Sequence, residues 1–416
     1  MHKTDDFSLA QAILISVEEA LKRIESNIEP ICGTERIELK KGLGRILEED
    51  IFSPVDIPRF RNSSMDGYAL DTGGEKLSKY FTLPVVGTSW AGHPYQRPLM
   101  KGQSIRIFTG AVVPENADTV ILQENIERTG DTVKVLQTVT PGLNIREAGE
   151  DAHQGQLILP KGKALTPSDL ALMASVGIYD VLVKRHLRVS FFSTGDELRP
   201  IGEKLRDGEI YDSNRYLLQA MLEKINVDIA DLGTIKDQRN ALAAAFKDAA
   251  SGSDVIITTG GVSVGAADHI RQVMEESGQI HLWKIAIKPG KPLAYGKLSS
   301  CHFFGLPGNP ASVLVTFQVI VRPMILRLQG IKENISLRIK ARCQSALSKT
   351  PGRQEYQRGI FSRDDNGEFI VESAGAQGSH ILSAMSRSNC FIVLPRRSSG
   401  AQAGEWVNIE PFETML

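Results

Sequence analysis

The chain has 416 residues, with 48 lysines and arginines against 49 aspartates and glutamates, and its formal net charge is -1. This balance argues against a nucleic-acid-binding protein, which usually carries a basic excess or a basic stripe. The length predicts roughly two to four domains. The four cysteines are scattered and form no CxxC pair, so we expect neither a zinc site nor a disulfide framework.

The amino-terminal segment does not have the pattern of a signal peptide. Its apolar run is short, acidic residues precede it, and no small-residue cleavage site follows. No apolar stretch approaches the roughly 20 residues that a membrane-spanning helix needs. We therefore expect no membrane partner and a reduced, cytoplasmic location.

The first third of the chain predicts one helix followed by short strands. Ser16 and Glu19 fit a capping box at the start of a helix that continues to about Ile24. Residues 53–144 contain short β-rich runs separated by turn residues, which predicts a β-rich inserted domain. Residues 1–52 and 145–184 then form a discontinuous, mixed N-terminal domain, in which Thr166 and Pro167 begin a helix.

The rest of the chain predicts an α/β domain followed by a small β-barrel. In residues 185–330 strands alternate with helices, which is typical of right-handed βαβ units and a mostly parallel sheet. Asn309 and Pro310 are the expected N-cap and first residue of the last helix in this region. Residues 331–416 are β-rich again and fit a barrel or sandwich. The predicted fold class is thus multidomain, α/β plus β.

Three loops between Asp254 and Pro310 predict a binding crevice. Each follows a strand-like run, and open α/β sheets bind ligands at the carboxyl ends of their strands. The loop GGVSVG, residues 260–265, could hold a phosphate through backbone N–H groups, or it could be a tight turn. It matches neither a dinucleotide fingerprint nor a P-loop. Lys284, Lys288 and Lys291 follow it. Lys284 and Lys288 would share one face of an extended strand, and the lysines are either an anion site or a solvated surface.

Acidic residues follow several of the predicted strands. Asp196 and Glu197 end the first strand of the α/β region, and Asp237 and Asp268 lie at equivalent positions. Carboxylates that converge at strand ends suit Mg²⁺, which binds few protein ligands and keeps water. The alternative is that each acid stabilises the amino terminus of a helix.

Six other residues stand out without a pattern that decides their role. Four of them lie in loop-like segments, where hydrogen-bonded turns explain them equally well. They are Asp66 in NSSMDGYA, Thr109 in FTGAVVP, and Arg146 and Asp151 in IREAGED. A lone arginine on a strand, such as Arg358, is usually a surface residue. Ser379 precedes a histidine, but the chain has no GxSxG elbow, so we reject a serine hydrolase.

Eight motifs together resemble one known family. The motifs are NSSMDGYA, IREAGED, FSTGDEL, IYDSN, TTGGVSVGAAD, IKPGKP, LPGNP and GSHILS. They occur here in the order seen in the family that the chain resembles, the molybdopterin molybdotransferases of the MoeA type, which are homologous to the E domain of gephyrin. The resemblance runs from about Ser16 to Phe412. It implies four domains in an elongated homodimer. It also implies a Mg²⁺-assisted reaction that consumes adenylated molybdopterin and molybdate and yields AMP and molybdenum cofactor.

The resemblance also implies residue roles and partners. Molybdate would contact Lys288, Lys291, Ser312, Arg358 and Ser379, and Mg²⁺ and the pyrophosphate would contact Glu197, Asp237 and Asp268. The pterin phosphate end would lie near Gly260, Gly261, Ser263 and Lys284, with Pro307 and Pro310 as further substrate contacts. Four residues would reach the cleft from the other subunit: Asp66, Thr109, Arg146 and Asp151. Of these, Asp66 and Asp151 would be catalytic residues. A transient contact with the molybdopterin adenylyltransferase is expected.

Two other functions fit the same fold. A scaffold protein, as the E domain of gephyrin also is, would need a long linker or fused domain, and we see neither in the sequence. A related enzyme could insert tungstate, which the sequence does not separate from molybdate because the two ions have nearly the same size and charge. The extra N- and C-terminal domains argue against an adenylylation step.

Overall fold

The computed structural model describes residues 14–261, 269–331 and 337–412, the side chains of residues 282 and 283 excepted. The chain divides into two compact units. The α/β–barrel unit comprises Met1–Glu35, Gly44–Ile46 and Lys184–Leu416, and the β-rich unit comprises Arg36–Leu43 and Leu47–Val183. The predicted Asp268 and Ser263 lie outside the described residues.

The helices in the described part of the chain are α1 Val17–Glu25, α2 Pro167–Ser175, α3 Ser213–Glu223, α4 Arg239–Gly252, α5 His269–Ser277, α6 Pro310–Thr316, α7 Arg322–Gln329 and α8 Leu382–Arg387. Short 3₁₀ turns occupy Leu39–Lys41 and Gln123–Asn125, and a π-helical segment, Phe317–Val321, joins α6 to α7.

The strands of the first half are β1 Thr34–Glu38, β2 Ile51–Phe52, β3 Asn62–Ser63, β4 Gly67–Leu70, β5 Thr82–Ser89, β6 Ser104–Ile107, β7 Thr119–Leu122, β8 Ile126–Thr129, β9 Thr132–Val135, β10 Ile145–Arg146, β11 Leu157–Leu159, β12 Asp180–Lys184, β13 Arg188–Thr194, β14 Leu198–Arg199 and β15 Ile210–Tyr211. They continue with β16 Asp228–Ile235, β17 Val255–Thr259, β18 Gln279–Lys284, β19 Ile287–Lys288, β20 Pro292–Leu298, β21 Cys301–Leu306, β22 Ile339–Cys343, β23 Leu347–Ser348, β24 Gln354–Arg363, β25 Phe369–Ser373, β26 Cys390–Leu394, β27 Gly400–Ala401 and β28 Trp406–Pro411.

The predicted helix starts are observed, with two differences: the Asn309 side chain makes no capping hydrogen bond to α6, and α1 lacks half of its capping box. The Ser16 hydroxyl accepts a hydrogen bond from the Glu19 N–H at 3.1 Å, as an N-cap does. The Glu19 carboxylate, however, accepts from Arg23 at 2.7 Å, so the second half of the capping box is replaced by an ion pair. In α2 the box is complete, because Thr166 and Asp169 exchange side chain–backbone hydrogen bonds.

The α/β sheet has six strands in the order β16-β13-β17-β21-β20-β18. The first four are parallel, as predicted, and the last two are antiparallel to their neighbours. The sequence analysis missed β20, whose first residue, Pro292, is tolerated because it begins the strand. The fold class is therefore confirmed, with one strand, β20, that runs opposite to the other five.

Helices cover both faces of this sheet. Leu218 of α3 and Ile325 of α7 contribute to one core cluster, and Phe246 of α4 contributes to the other. The Phe246 ring meets those of Phe192 and Phe303 edge to face, with centroids 5.4 and 5.3 Å apart. Because both faces are buried, the central strands are almost continuously apolar.

The run Pro310–Gln329 corrects one expectation from the sequence. Its three helical segments join into a continuous 20-residue helix that is long and apolar enough to span a membrane. The π-helical turn precedes Pro323, whose ring and missing N–H disturb a regular helix. Of its apolar 18-residue window, 78% is buried inside the structure, which is typical of a core helix.

The C-terminal sheet closes into a five-stranded barrel. Its order is β24-β25-β22-β28-β26, and β26 pairs again with β24, which completes the ring. Strand β19 extends this sheet by pairing with the start of β24, Lys288 opposite Glu355. The segment between β18 and β20 therefore contributes to the barrel sheet.

The β-rich unit contains a six-stranded sheet in the order β7-β4-β6-β5-β9-β8. Its core includes Ala69, Ile105 and Val120, all fully buried. The sheet falls within the region that the sequence predicted to be β-rich.

Candidate functional site

A cavity of about 1060 Å³ opens at the carboxyl ends of the four parallel strands. Each of these strands supplies lining residues from its end or from the loop that follows it: Thr194 at the end of β13 and Gly195 and Glu197 after it, Asp237 after β16, Gly260 and Gly261 after β17, and Pro307, Gly308 and Asn309 after β21. This is where an open α/β sheet is expected to bind its ligand.

Other segments add to the lining, among them a loop between the two sheets and part of the barrel region. The loop Lys288–Pro292 contributes two lysines, and the barrel region contributes Arg353 and residues 377–379. The amino terminus of α6 lies between them, since Ala311 N–H donates to the Ser379 carbonyl at 3.1 Å. The predicted residues that the cavity brings together are Glu197, Asp237, Gly260, Gly261, Lys288, Lys291, Pro307, Pro310, Ser312 and Ser379.

Gly260 forms part of the wall rather than a phosphate clamp. Its φ is +85°, and a Cβ there would lie 2.3 Å from the Thr194 carbonyl oxygen, so no other residue fits. Its N–H already donates to Leu306 O at 3.1 Å. That N–H is therefore not available to a ligand, and because residues 262–265 lie outside the described residues, a phosphate site in the rest of the loop stays a prediction.

Lys288 is held by a buried carboxylate. Its Nζ lies 3.1 Å from Oε1 of Glu355, whose side chain is only 4% exposed. Gln357 Nε2 donates to the same oxygen at 3.1 Å. Glu355 therefore fixes the lysine at the cavity and offsets part of its charge.

Lys349 is a second cation near Glu355, and it is buried. Its ammonium group donates to the backbone carbonyls of Thr350, Arg396 and Ser398. Burial lowers the pKa of Lys349, and Glu355 partly opposes that shift. Lys349 and Glu355 were not predicted, because only the fold brings them near Lys288.

Three carboxylate residues line the cavity: Glu197, Asp212 and Asp237. Glu197 is exposed, whereas Asp237 Oδ1 is buried without a hydrogen-bond partner. The described residues contain no group of three histidines, cysteines, aspartates or glutamates that could hold a metal. The third predicted ligand, Asp268, is outside those residues, so the three-carboxylate metal site stays a prediction.

The first turn of α3 contributes residues that the sequence analysis did not assign. Asp212 is the N-cap of α3 and accepts from the Arg215 N–H at 3.2 Å. Asn214 donates from Nδ2 to the Gly308 carbonyl at 2.6 Å. The motif IYDSN contained the signal, because Asp-Ser-Asn before a helical pattern is typical of an N-terminus.

Arg358 is buried, so the prediction of a surface position is wrong. Its side chain is fully buried in strand β24, and Nη2 donates to the carbonyls of Ala376 and Gly378, both at 3.0 Å. Nε and Nη1 are buried without partners, and burial lowers the pKa of Arg358. It does not line the cavity but supports the loop that carries Ser379.

Lys284 also lies outside the cavity lining. It ends β18 in the α/β sheet, whereas Lys288 belongs to β19 of the barrel sheet. The prediction that both lysines share one strand face is wrong, because the chain changes sheets between them.

The remaining predicted residues belong to the β-rich unit and do not line this cavity. Asp66 Oδ1 accepts hydrogen bonds from the N–H and the hydroxyl of Thr109, both at 2.8 Å. These bonds lower the pKa of the exposed Asp66 carboxyl. Arg146 and Asp151 are exposed. Asp66 and Thr109 are therefore hydrogen-bonded to each other within this unit, and the expected role of these residues at the cleft of a second subunit stays a prediction.

Comparison with known proteins identifies the family. Three family models match: the MoeA N-terminal region (domain I and II) at residues 15–177, a probable molybdopterin binding domain at 190–327, and the MoeA C-terminal region (domain IV) at 340–412. A Haemophilus influenzae protein named molybdopterin molybdenumtransferase is 43% identical over 405 residues, 97% of this chain and 100% of that protein. The chain belongs to the MoeA family.

Further MoeA relatives cover nearly the whole chain as well. A Nostoc molybdopterin molybdenumtransferase is 34% identical, over 89% of this chain and 87% of that protein. The crystal structure of a molybdopterin biosynthesis moeA protein from Pyrococcus horikoshii superposes with a TM-score of 0.82 at 30% identity, covering 96% of this chain and 100% of that one. The expected family and fold are thus confirmed.

Proposed function

We propose that this MoeA-family enzyme inserts molybdenum from molybdate into adenylated molybdopterin, with release of AMP and assistance from Mg²⁺. The observation that carries the proposal is the composition of the cavity. Lysines 288 and 291 line it together with Glu197 and Asp237. Molybdate is a dianion, and adenylated molybdopterin carries a phosphate anhydride. A site that binds both needs cations and a pair of carboxylates that can hold a metal.

The basic part of the cavity fits the oxyanion. Lys288 is fixed by Glu355, and Lys291 lies three residues along the same loop. Ser312 and Ser379 add hydroxyl groups to the lining. Arg358 acts through the loop 376–378 rather than by direct contact. We propose that the lysines and serines hold molybdate and that Arg358 positions the Ser379 loop.

The acidic part of the cavity fits Mg²⁺. The buried, unpartnered Oδ1 of Asp237 is suited to a cation, and Glu197 lines the same cavity. Bound there, Mg²⁺ neutralises phosphate oxygens of the substrate. In this proposal the Mg²⁺ ligands are Glu197, Asp237 and Asp268. They orient the anhydride toward the lysines that bind molybdate.

The decisive experiment measures AMP release from adenylated molybdopterin with Mg²⁺, with and without molybdate, followed by reconstitution of an apo-molybdoenzyme. Asp237→Asn should lower molybdate-dependent AMP release at least about a hundredfold, as losses of metal-orienting groups do. Asp248→Asn, on the exposed side of α4, is the matched control and should retain activity. Adenylate binding without molybdate-dependent release in the wild type would contradict the proposed function.

We propose that the protein forms a homodimer, in which residues of the β-rich unit of one copy act at the cavity of the other copy. Asp66, Thr109, Arg146 and Asp151 would then complete the cavity of the second copy. Inactive Asp66→Ala and Asp237→Asn variants, unfolded and refolded together, should recover about a quarter of the wild-type activity, because half of the dimers are mixed and each carries one intact site. Activity that stays absent in the mixture would show that the two residues do not belong to one shared site.

A further inference from the structure

Asn214 is oriented in one defined way at the cavity wall. It is the second residue of α3, it is 7% exposed, and it lines the cavity. Its side-chain amide lies 2.6 Å from the Gly308 carbonyl oxygen. A carbonyl oxygen only accepts hydrogen bonds, so the atom facing Gly308 is Nδ2 and the other atom is Oδ1.

The Oδ1 atom has no donor among the described residues. It is buried, as is Oδ1 of Asp237 in the same cavity, and neither oxygen accepts a hydrogen bond. Two acceptors cannot satisfy each other, and a buried unpaired acceptor is unfavourable. The carboxylate of Asp237 suits a cation, whereas the neutral amide of Asn214 suits a neutral O–H or N–H donor.

We infer that Asn214 is a specificity-determining residue whose Oδ1 accepts a hydrogen bond from a neutral O–H or N–H group of the substrate. This inference rests on the proposed function and names a substrate contact within it. The donor is either a ribose hydroxyl of the nucleotide part or a ring N–H of the pterin part. Both have the same chemistry, so the experiment has to separate them.

Binding of AMP, 2′-deoxy-AMP and 3′-deoxy-AMP to the Mg²⁺-loaded protein, measured by calorimetry, tests the ribose. The wild type should bind one deoxy analogue about tenfold more weakly than AMP, as expected for one lost hydrogen bond. Asn214→Leu should abolish that difference. Asn214→Asp, which keeps an acceptor but loses the donation to Gly308, should preserve it even if overall affinity falls.

Molybdopterin without a nucleotide, titrated under anaerobic conditions, tests the pterin. If its affinity falls about tenfold in Asn214→Leu while AMP affinity is unchanged, the donor is the pterin N–H. An equal loss for every ligand, or no loss for any, overturns the inference, because a merely structural role does not depend on the ligand. Failure of the proposed function is distinct, since it appears as absent AMP release in the wild type.

Discussion

Glu355 offers a quantitative test of the electrostatics at Lys288. A dianion hydrogen-bonded to Lys288 Nζ would lie about 6 Å from the Glu355 carboxylate, given the 3.1 Å contact between lysine and glutamate. At that distance the repulsion between charges of -1 and -2 is about 1.4 kcal/mol in water and about 5 kcal/mol at an effective dielectric of 20. The water value is appropriate because the Lys288 side chain is 41% exposed.

Glu355→Gln should therefore tighten dianion binding by about tenfold. The glutamine oxygen can still accept from Lys288, so the lysine keeps its position while the opposing charge disappears. Titration calorimetry with molybdate and with sulfate at low salt measures the change. Glu372→Gln, an exposed position on barrel strand β25, is the matched control and should change little.

Two results would refute this reasoning. One is an unchanged or weaker affinity in a folded Glu355→Gln protein, which would mean that the carboxylate matters only for positioning. The other is a gain that disappears when Lys288→Met is added, because the calculated repulsion acts on the dianion directly and does not pass through that lysine. The four proteins form a double-mutant cycle that isolates the coupling between the two residues.

Three predictions concern stability. Phe246→Ala should destabilise the protein by about 3–5 kcal/mol in urea unfolding, since the ring is buried between two other aromatic rings. Thr166→Ala should cost about 1 kcal/mol and Thr166→Ser much less, because serine keeps the N-cap hydroxyl. Burial alone would raise the pKa of Asp254, but hydrogen bonds from Arg185 and Arg188 hold it below the usual value of 3.8. Its stabilisation is thus present above pH 3.8 and lost as the pH falls through the lowered pKa, so Asp254→Asn should flatten the acid limb of a stability–pH curve.

The sequence predicted the location of the cavity because local patterns determine it. Apolar strands followed by glycine, proline and acidic residues place Asp237, Gly260 and Pro307 at the same edge of a parallel sheet. The helix starts at Ser16 and Thr166 were equally local, since each depends on four consecutive residues.

What the sequence did not predict depends on contacts between distant segments. Arg358 looked like a surface residue because its burial comes from the loop 376–378, which folds back over the strand. The sequence did not show that Lys288 is paired with a carboxylate, because Glu355 is far away in the chain. Lys284 was misplaced because no local pattern shows where the chain leaves one sheet for another.

The segment from Lys284 to Pro292 connects the α/β sheet to the barrel sheet. Ala286 O accepts from the Gln354 N–H at 2.7 Å, and Lys288 pairs with Glu355, so the cavity loop is built partly on the first residues of a barrel strand. A chimera that exchanges the barrel between MoeA relatives therefore also exchanges the charge environment of Lys288. Compatibility at residues 354 and 355, more than similarity across the rest of the barrel, should determine which chimeras keep a working cavity.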